Sequence, residues 1–333
     1  MDSSRAAVSM ARMNRPDALA RAVASGDRRA LARAITLVES AREDHRAEAE
    51  ALLSALPACD GSLRLGLSGT PGAGKSTLIE ALGLLLTGRG LRVAVLAVDP
   101  SSQRSGGSIL GDKTRMERLS REPGAFIRPS PAGGQLGGVA RRTREAVMLC
   151  EAAGFDVIVV ETVGVGQSET TVADLSDVFA LVLAPHGGDE LQGVKRGVME
   201  AADLILVNKA DRDGTAATRT VGDYAAALRL MRRRPQDPEG FPRALALSAL
   251  TGEGLAAAWD AVERLHLWRR DSGHLARLRA AQRLRWFEEE MLAEALARLH
   301  RDPRIADALP TLRAEVEAGR LLPPEAARRA LGA

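Results

Sequence analysis

One glycine-rich segment constrains the fold of this 333-residue chain more than any other feature. Residues 67–77 read Leu-Ser-Gly-Thr-Pro-Gly-Ala-Gly-Lys-Ser-Thr and fit the pattern G-x-x-x-x-G-K-[ST]. An apolar alternation over residues 63–67 precedes the segment, and apolar residues at helical spacing over 78–85 follow it. A strand, a glycine turn and a helix in this order are the context in which such a turn binds phosphate.

The residues of this turn have distinct predicted roles. Its glycines let backbone N–H groups curl around phosphate oxygens at the start of a helix, where the helix dipole also favours an anion. Lys75 supplies a mobile positive charge, and Ser76 offers its hydroxyl to Mg²⁺. The predicted phosphate-contacting residues are Gly69, Pro71, Gly72, Ala73, Gly74, Lys75, Ser76 and Thr77.

Lysine is rare in this chain. Of its 46 basic residues only four are lysine, namely Lys75, Lys113, Lys195 and Lys209. Lysine carries a compact ammonium and arginine a planar fork, so the two are not interchangeable at a phosphate or a base. We interpret the four lysines as chemically required, and two of them, Lys75 and Lys209, fall in nucleotide motifs. The alternative for Lys113 and Lys195 is an ordinary solvated charge in an arginine-dominated composition.

A second nucleotide signature, Asn-Lys-Ala-Asp, follows an apolar run about 135 residues after the phosphate loop. The pattern Asn-Lys-x-Asp is typical of GTPases. The carboxylate of Asp211 can accept hydrogen bonds from both the ring N–H and the exocyclic amine of guanine, and adenine lacks this pair of donors. Asn208 can tie neighbouring loops together, and Lys209 can lie along the base. Ser248 and Ala249 follow another apolar run and fit the remaining base-contacting loop.

Three acidic residues are candidates for the metal side of the site. Asp99 and Glu161 each end an apolar run, and Asp112 lies in a glycine-containing stretch. Carboxylate and hydroxyl oxygens are the ligands that Mg²⁺ prefers. Glycines follow Glu161, so Gly164 can approach a γ-phosphate through its backbone N–H. The alternative is that any one of these acids only caps the next helix.

Composition and charge argue against several functional classes. The formal net charge is +3, aromatic residues make up 3%, and no arginine-rich run alternates with aromatics, so we predict no nucleic-acid binding. No apolar stretch reaches membrane-spanning length, so we expect no membrane insertion. Cys59 and Cys150 show neither metal-ligand spacing nor a disulfide framework, which fits a bacterial cytoplasm. Residues 1–16 lack a secretory apolar core, and an organelle-targeting segment is the alternative left open there.

The order of elements predicts an α/β fold with a mostly parallel central sheet flanked by helices, because strand and helix patterns alternate from Leu63 onwards. The strand runs are continuously apolar, as sheets covered on both faces require. We expect a helical N-terminal extension over residues 1–56, a nucleotide-binding domain over 57–252 and a helical region over 253–333. The predicted strands are Leu63–Leu67, Val93–Val98, Ala125–Arg128, Val157–Glu161, Val178–Ala184, Leu204–Val207 and Ala244–Leu247.

Taken together, the motifs resemble those of the MeaB/ArgK/MMAA family, P-loop GTPases that act as chaperones of adenosylcobalamin-dependent acyl-CoA mutases such as methylmalonyl-CoA mutase. The resemblance covers about residues 65–215 and implies a P-loop NTPase fold of the SIMIBI type, Mg²⁺-dependent hydrolysis of GTP to GDP, and gating of cofactor loading into the mutase. The matching stretches are Gly69–Thr77, Asp99–Met116, Ile127–Glu145, Glu161–Glu169, Gly188–Gly197 and Asn208–Gly214.

The resemblance also implies roles for individual residues. Ser76, Asp99, Asp112 and Glu161 would surround Mg²⁺, and the loops 99–116, 161–170 and 185–195 would act as switches. Family members are usually homodimers through C-terminal helices, which implies that region 253–333 is a dimerisation region. The residues expected in the switches that relay nucleotide state to the mutase are Lys113, Gln167, Asp189, Glu190, Gln192 and Lys195.

For the chemical step we expect Lys75, Glu161 and Gly164 to act on the γ-phosphate, and we consider Gln167 as the residue that positions water. Two other functions compete. A metal-insertion GTPase for a hydrogenase or urease would need Cys and His clusters near the switches, and the two cysteines are isolated. A transport-system kinase, an older label in this family, would need a catalytic base and an acceptor pocket, neither of which the sequence indicates.

Overall fold

The computed structural model divides the chain into two compact units, Met1–Arg279 and Ala280–Ala333. The predicted boundaries after residues 56 and 252 stay a prediction. No helix of the part described is both long enough and apolar enough to span a membrane. The residues described are 16–40, 42–98, 116–129, 136–162, 168–185, 196–230, 234 and 237–332.

Seven strands form one sheet in the order β3-β2-β4-β1-β5-β6-β7, and every neighbouring pair is parallel. This confirms the predicted α/β sheet, with strand ends shifted by one or two residues. All six residues of β2, β4 and β5 are buried, which explains the continuously apolar sequences of β2, of β5 and of the first four residues of β4. The strands are β1 (Leu63–Gly69), β2 (Val93–Val98), β3 (Ala125–Arg128), β4 (Val157–Thr162), β5 (Val178–Leu183), β6 (Leu204–Val207) and β7 (Arg243–Ala246).

Helices precede, connect and follow the strands, and the described part of the chain after residue 252 contains no strand. The helices before β5 are α1 (residues 16–24), α2 (Arg28–Glu39), α3 (Glu43–Ser54), α4 (Lys75–Gly88), α5 (Glu117–Ser120), α6 (Leu136–Ala152) and α7 (Ser168–Leu175). The helices after β5 are α8 (Arg196–Ala201), α9 (Gly214–Leu230), α10 (Leu255–Asp271), α11 (His274–Arg301), α12 (Pro303–Glu317) and α13 (Pro323–Leu331).

The sheet separates two hydrophobic cores. Helices α4, α5 and α10 cover one face, where Leu78 and Trp259 pack with Val157 and Val159 of β4. Helices α1–α3 and α6–α9 cover the other face, and Ile158 of β4 belongs to that core. Successive residues of a strand point to opposite faces, so the apolar runs supply both cores at once.

Buried ion pairs attach α10 and the first turns of α11 to the amino ends of the strands. Asp203 directly precedes β6 and accepts hydrogen bonds from Arg269 of α10, with an Nη2–Oδ1 distance of 2.7 Å. Asp177 directly precedes β5 and accepts from Nη2 of Arg279 at 2.7 Å. Burial alone lowers the pKa of Arg269, but the neighbouring carboxylates of Asp203 and Asp237 outweigh it and raise that pKa. These groups lie at the amino ends of the strands, whereas the phosphate loop follows the carboxyl end of β1.

The unit Ala280–Ala333 contains most of α11 together with α12 and α13. Asp302 caps α12 by accepting a hydrogen bond from the backbone N–H of Arg304 at 2.9 Å, and Pro303 occupies the first turn. Helices α12 and α13 pack against each other, with Ile305, Leu321 and Ala326 buried.

Candidate functional site

The predicted phosphate loop lies between the carboxyl end of β1 and the start of α4. Gly69 ends β1 with a backbone φ of +153°, and a Cβ atom at this position would lie 1.9 Å from the carbonyl oxygen of Val182 on β5. Gly74 is the N-cap of α4 in a left-handed conformation, and it has no side chain to cap the helix. The N-cap therefore leaves the first-turn N–H groups of α4 available to an anion, as at known phosphate-binding helix starts.

Lys75 lies within the curve of this loop. Its ammonium donates hydrogen bonds to the carbonyl oxygens of Gly69, at 2.8 Å, and Thr70, at 3.3 Å. The residue is buried, so the loop carbonyls help to offset the cost of removing the charge from water. This holds the positive charge beside the loop N–H groups, at the position where phosphate oxygens are expected.

Asn208 joins the base signature to the phosphate loop. It directly follows β6 and is almost completely buried. Its Nδ2 donates to the carbonyl oxygen of Ala73 at 2.9 Å, and its Oδ1 accepts from the backbone N–H of Ala249 at 2.9 Å. One side chain thus connects three segments that are far apart in the sequence, namely the phosphate loop, the end of β6 and the loop after β7.

Lys209 and Asp211 extend from the same strand end. Lys209 has a positive φ of 64°, a strained conformation for a side-chain-bearing residue, and its ammonium donates to the carbonyl oxygen of Gly72 at 2.5 Å. Asp211 is exposed, and its Oδ1 accepts from the buried hydroxyl of Ser248 at 2.5 Å. This hydrogen bond orients the carboxylate and leaves Oδ2 able to accept from a base.

The metal side of the site is described only in part. Ser76 lies in the first turn of α4, and Glu161 lies near the carboxyl end of β4, where it is 4% exposed. Glu161 follows the alternation of Val157 and Val159, so it lies on the α4 face of the sheet. Hydroxyl and carboxylate oxygens fit Mg²⁺. Within the described ranges no group of three or more His, Cys, Asp or Glu residues could hold a metal on its own.

Several predicted site residues lie outside the described residues. They are the candidate metal ligands Asp99 and Asp112, the γ-phosphate and water-positioning candidates Gly164 and Gln167, and the partner-relay candidates Lys113, Asp189, Glu190, Gln192 and Lys195. Their contacts with nucleotide, metal or partner stay predictions.

Two features at the site were not predicted from the sequence. The hydroxyl groups of Ser68 and Thr162 form a buried hydrogen bond of 2.9 Å between β1 and β4. Glu80 of α4 accepts a 2.8 Å hydrogen bond from the backbone N–H of Arg118 at the start of α5. The sequence signal that could have pointed to the first pair is that Ser68 borders the predicted phosphate loop and Thr162 follows Glu161. Nothing local in the sequence pairs Glu80 with a residue 38 positions away.

Comparisons with known proteins yield a family match and several relatives. The family model described as "Methylmalonyl Co-A mutase-associated GTPase MeaB" matches residues 31–303. A "Putative GTPase" of Caulobacter vibrioides is 52% identical over 318 residues, covering 95% of this chain and 97% of the relative. "GTPase ArgK" of Escherichia coli K12 is 50% identical over 283 residues, covering 84% of each chain.

More distant relatives match over nearly the same span. "Methylmalonic aciduria type A homolog, mitochondrial" of Mus musculus is 46% identical over 323 residues, covering 93% of this chain and 77% of the relative. A crystal structure of a "LAO/AO transport system kinase" superposes with a TM-score of 0.73 at 38% identity, covering 95% of this chain and 96% of the other. The likeness therefore extends beyond the nucleotide motifs to almost the whole chain.

Proposed function

This chain belongs to the family of methylmalonyl-CoA mutase-associated GTPases, and on that premise we propose that it hydrolyses GTP and reports its nucleotide state to an adenosylcobalamin-dependent acyl-CoA mutase. One observation carries the nucleotide part of the proposal. Asn208 connects the phosphate loop at Ala73 with the loop at Ala249, while Ser248 of that same loop orients Asp211. The phosphate-binding and base-reading groups are therefore held as one unit.

Specificity for guanine follows from the carboxylate of Asp211. Guanine offers a ring N–H and an exocyclic amine side by side, and a carboxylate accepts from both. Adenine offers an acceptor nitrogen in place of the ring N–H, so the carboxylate would face a lone pair. The hydrogen bond from Ser248 keeps one orientation of Asp211 available before the nucleotide binds.

Phosphate transfer to water requires positioning and neutralisation of charge more than covalent chemistry by the protein. The N–H groups of the phosphate loop and Lys75 bind the β- and γ-phosphates. Ser76 and Glu161, with Asp99 and Asp112, would hold Mg²⁺, which would neutralise negative charge on the phosphates. Gly164 contacts the γ-phosphate through its N–H, and Gln167 orients the attacking water.

The partner is an acyl-CoA mutase of the methylmalonyl-CoA mutase type, which the description of the family supports. Loss of the γ-phosphate would release the switch segments that contact it, and this change passes to the mutase. The relay residues are Lys113, Asp189, Glu190, Gln192 and Lys195. In this way the protein protects the mutase and gates the loading of its cofactor.

We further propose a homodimer formed through α11. Apolar side chains of this helix that are 49–63% exposed support the proposal, because a large exposed apolar face favours burial against a partner. Leu284, Phe287 and Met291 follow one stripe at helical spacing. The full set is Leu284, Phe287, Met291, Leu292 and Leu296.

The proposed compartment is the bacterial cytoplasm. Both cysteines are free, and the thiol of Cys150 is buried, so burial raises its pKa and keeps it unreactive. Two unpaired thiols fit a reducing environment.

The central experiment measures hydrolysis of GTP and ATP by the purified full chain, with and without an acyl-CoA mutase. We expect hydrolysis of GTP only, acceleration by the mutase, and loss of turnover in Lys75→Ala. Turnover of ATP at the same rate, or full activity in Lys75→Ala, would contradict the proposed site. Transfer of the γ-phosphate to a protein instead of water would favour the kinase alternative.

The partner and the dimer are tested separately. Co-purification with the mutase in some nucleotide state supports the chaperone role, and absence of a complex in every nucleotide state removes it while leaving the GTPase. For the dimer, Phe287→Glu should yield a monomer in light scattering. Leu230→Glu is the matched control, since it alters an exposed leucine outside the region 253–333 and should leave the dimer intact.

A further inference from the structure

The backbone pairing between the neighbouring strands β1 and β4 stops one residue short of their last shared position. The paired register of β1 and β4 ends at Leu67 and Glu161. On their other sides these strands stay paired further, with Gly69 of β1 opposite Val182 of β5 and Val98 of β2 opposite Thr162. At the carboxyl ends of the strands, where the phosphate loop begins, the ladder between β1 and β4 therefore ends before the two ladders beside it.

A side-chain hydrogen bond takes over where this ladder ends. Ser68 and Thr162 are the next residues of β1 and β4, and their hydroxyl oxygens lie 2.9 Å apart. Both side chains are completely buried, so water does not compete for either hydroxyl. A buried hydroxyl that loses its partner is costly, and the pair therefore resists separation of the two strand ends.

The pair lies on the opposite face of the sheet from Glu161. Thr162 follows the alternation of Ile158 and Val160, whose core includes Val172 of α7. Glu161 lies on the α4 face with Val159. Ser68 and Thr162 thus hold β1 against β4 from one face of the sheet, while Glu161 lies on the other face, which α4 covers.

We propose that Ser68 and Thr162 are positioning residues for GTP hydrolysis, whose hydrogen bond sets the distance between Glu161 and the phosphate loop. The inference rests on the proposed site of GTP hydrolysis. Ser68 adjoins Gly69, and Thr162 adjoins Glu161, so any slip between the strands displaces the γ-phosphate side of the site relative to Lys75 and Ser76. GDP lacks the γ-phosphate, and its binding depends on the phosphate loop and on the base-reading residues, so the pair should affect turnover of GTP far more than binding of GDP.

Five variants test this role, with measurements of kcat for GTP, of GDP affinity and of the melting temperature. Thr162→Val removes the hydroxyl while keeping the shape, and we expect kcat to fall about 10- to 100-fold with GDP affinity changed less than about threefold. Thr162→Ser keeps the hydroxyl and should retain kcat within about threefold. Ser68→Ala should resemble Thr162→Val.

Ser62→Ala is the matched control. It also removes a buried hydroxyl, one that donates to the carbonyl oxygen of Phe155 at 2.6 Å just before the amino end of β1, away from the phosphate loop. We expect its kcat to equal that of the wild type. The double variant Ser68→Ala/Thr162→Val leaves no hydroxyl without its partner, so it should regain melting temperature relative to Thr162→Val without regaining kcat.

Two results would overturn the positioning role. One is a kcat of Thr162→Val equal to that of Ser62→Ala, which would make the pair purely structural. The other is recovery of kcat in the double variant, which would assign the defect to an unpaired hydroxyl instead of a lost restraint. Turnover of Lys75→Ala distinguishes failure of the positioning role from failure of the proposed function. Full turnover in that variant would show that the proposed hydrolysis site itself is wrong.

Discussion

The Nδ2 atom of Asn208 donates a 2.9 Å hydrogen bond to the carbonyl oxygen of Ala73, although the two residues are 135 positions apart. The same side chain accepts from the backbone N–H of Ala249. Replacing it by alanine would leave a buried carbonyl and a buried N–H without this partner. We expect Asn208→Ala to lower the free energy of unfolding by about 2–4 kcal/mol and to weaken the binding of both GTP and GDP. Denaturant unfolding and nucleotide titration measure the two effects, and an unchanged free energy of unfolding would contradict the connecting role.

Asp211→Asn should change the preferred base from guanine to xanthine. The hydroxyl of Ser248 donates to Oδ1 of Asp211, and it can donate to the same oxygen of an asparagine. The amide nitrogen would then face the base as a donor, which suits the C2 carbonyl of xanthine and opposes the amine of guanine. We expect GTP affinity to fall at least about 100-fold and xanthosine triphosphate to bind more tightly than GTP. Calorimetry with both nucleotides decides this, and a retained preference for GTP would show that Asp211 does not read the base.

Gly69→Ala should strongly destabilise the fold. The added Cβ would lie 1.9 Å from the carbonyl oxygen of Val182, and the backbone φ of +153° is itself unfavourable for alanine. We expect a loss of about 3 kcal/mol or more in the free energy of unfolding. Gly222→Ala is the control, since this residue lies within α9 with no atom near its added Cβ, and it should stabilise by about 0.5–1 kcal/mol. Equal effects of the two changes in urea unfolding would refute the close approach.

Glu80 should stabilise the start of α5. Its carboxylate accepts from the backbone N–H groups of Arg118 at 2.8 Å and of Leu119 at 3.4 Å, where the N-cap Met116 supplies no side-chain hydrogen bond. We expect Glu80→Ala to lower the free energy of unfolding by about 1 kcal/mol, because first-turn N–H groups of α5 lose their acceptor. Glu80→Gln keeps an acceptor oxygen and should cost less. If both variants unfold at the wild-type denaturant concentration, the cap contributes nothing.

His266 should make the fold less stable under mildly acidic conditions. Its Nδ1 makes no hydrogen bond within the described part of the chain and lies 3.9 Å from Oδ2 of Asp177. Burial lowers the pKa of His266; Asp177 opposes this effect, and three arginines on α10 and α11 reinforce it. The three are Arg279, Arg270 and Arg269.

The direction of the pH effect follows from this lowered pKa. The folded state keeps His266 neutral, and the unfolded chain protonates it near its ordinary pKa of 6.5, so stability present above that pH is lost as the pH falls below it. The stability cost of His266→Gln should therefore shrink between pH 7 and pH 5. Urea unfolding of both proteins across this range measures it, and a cost independent of pH would exclude the effect.

Much of the site follows from short patterns. The segment around Lys75, the Asn208–Asp211 signature and the acid at Glu161 each identify a strand end, because apolar runs and loop chemistry are local properties of the chain. The alternation of these runs with helical periods also predicted the α/β sheet, and all seven strands are present. The contacts of these residues with GTP, metal or partner remain predictions.

The sequence by itself therefore determined which segments are strands, and it predicted which turn binds phosphate and which acid reads the base, since each depends on residues within a few positions of one another. Only the tertiary structure decided that Ser68 meets Thr162, that Glu80 caps α5 and that Asp177 and Asp203 hold Arg279 and Arg269. These partners are 38 to 102 positions apart. Their meeting depends on the order of the strands and on the face to which each residue points, and neither is encoded in any local pattern.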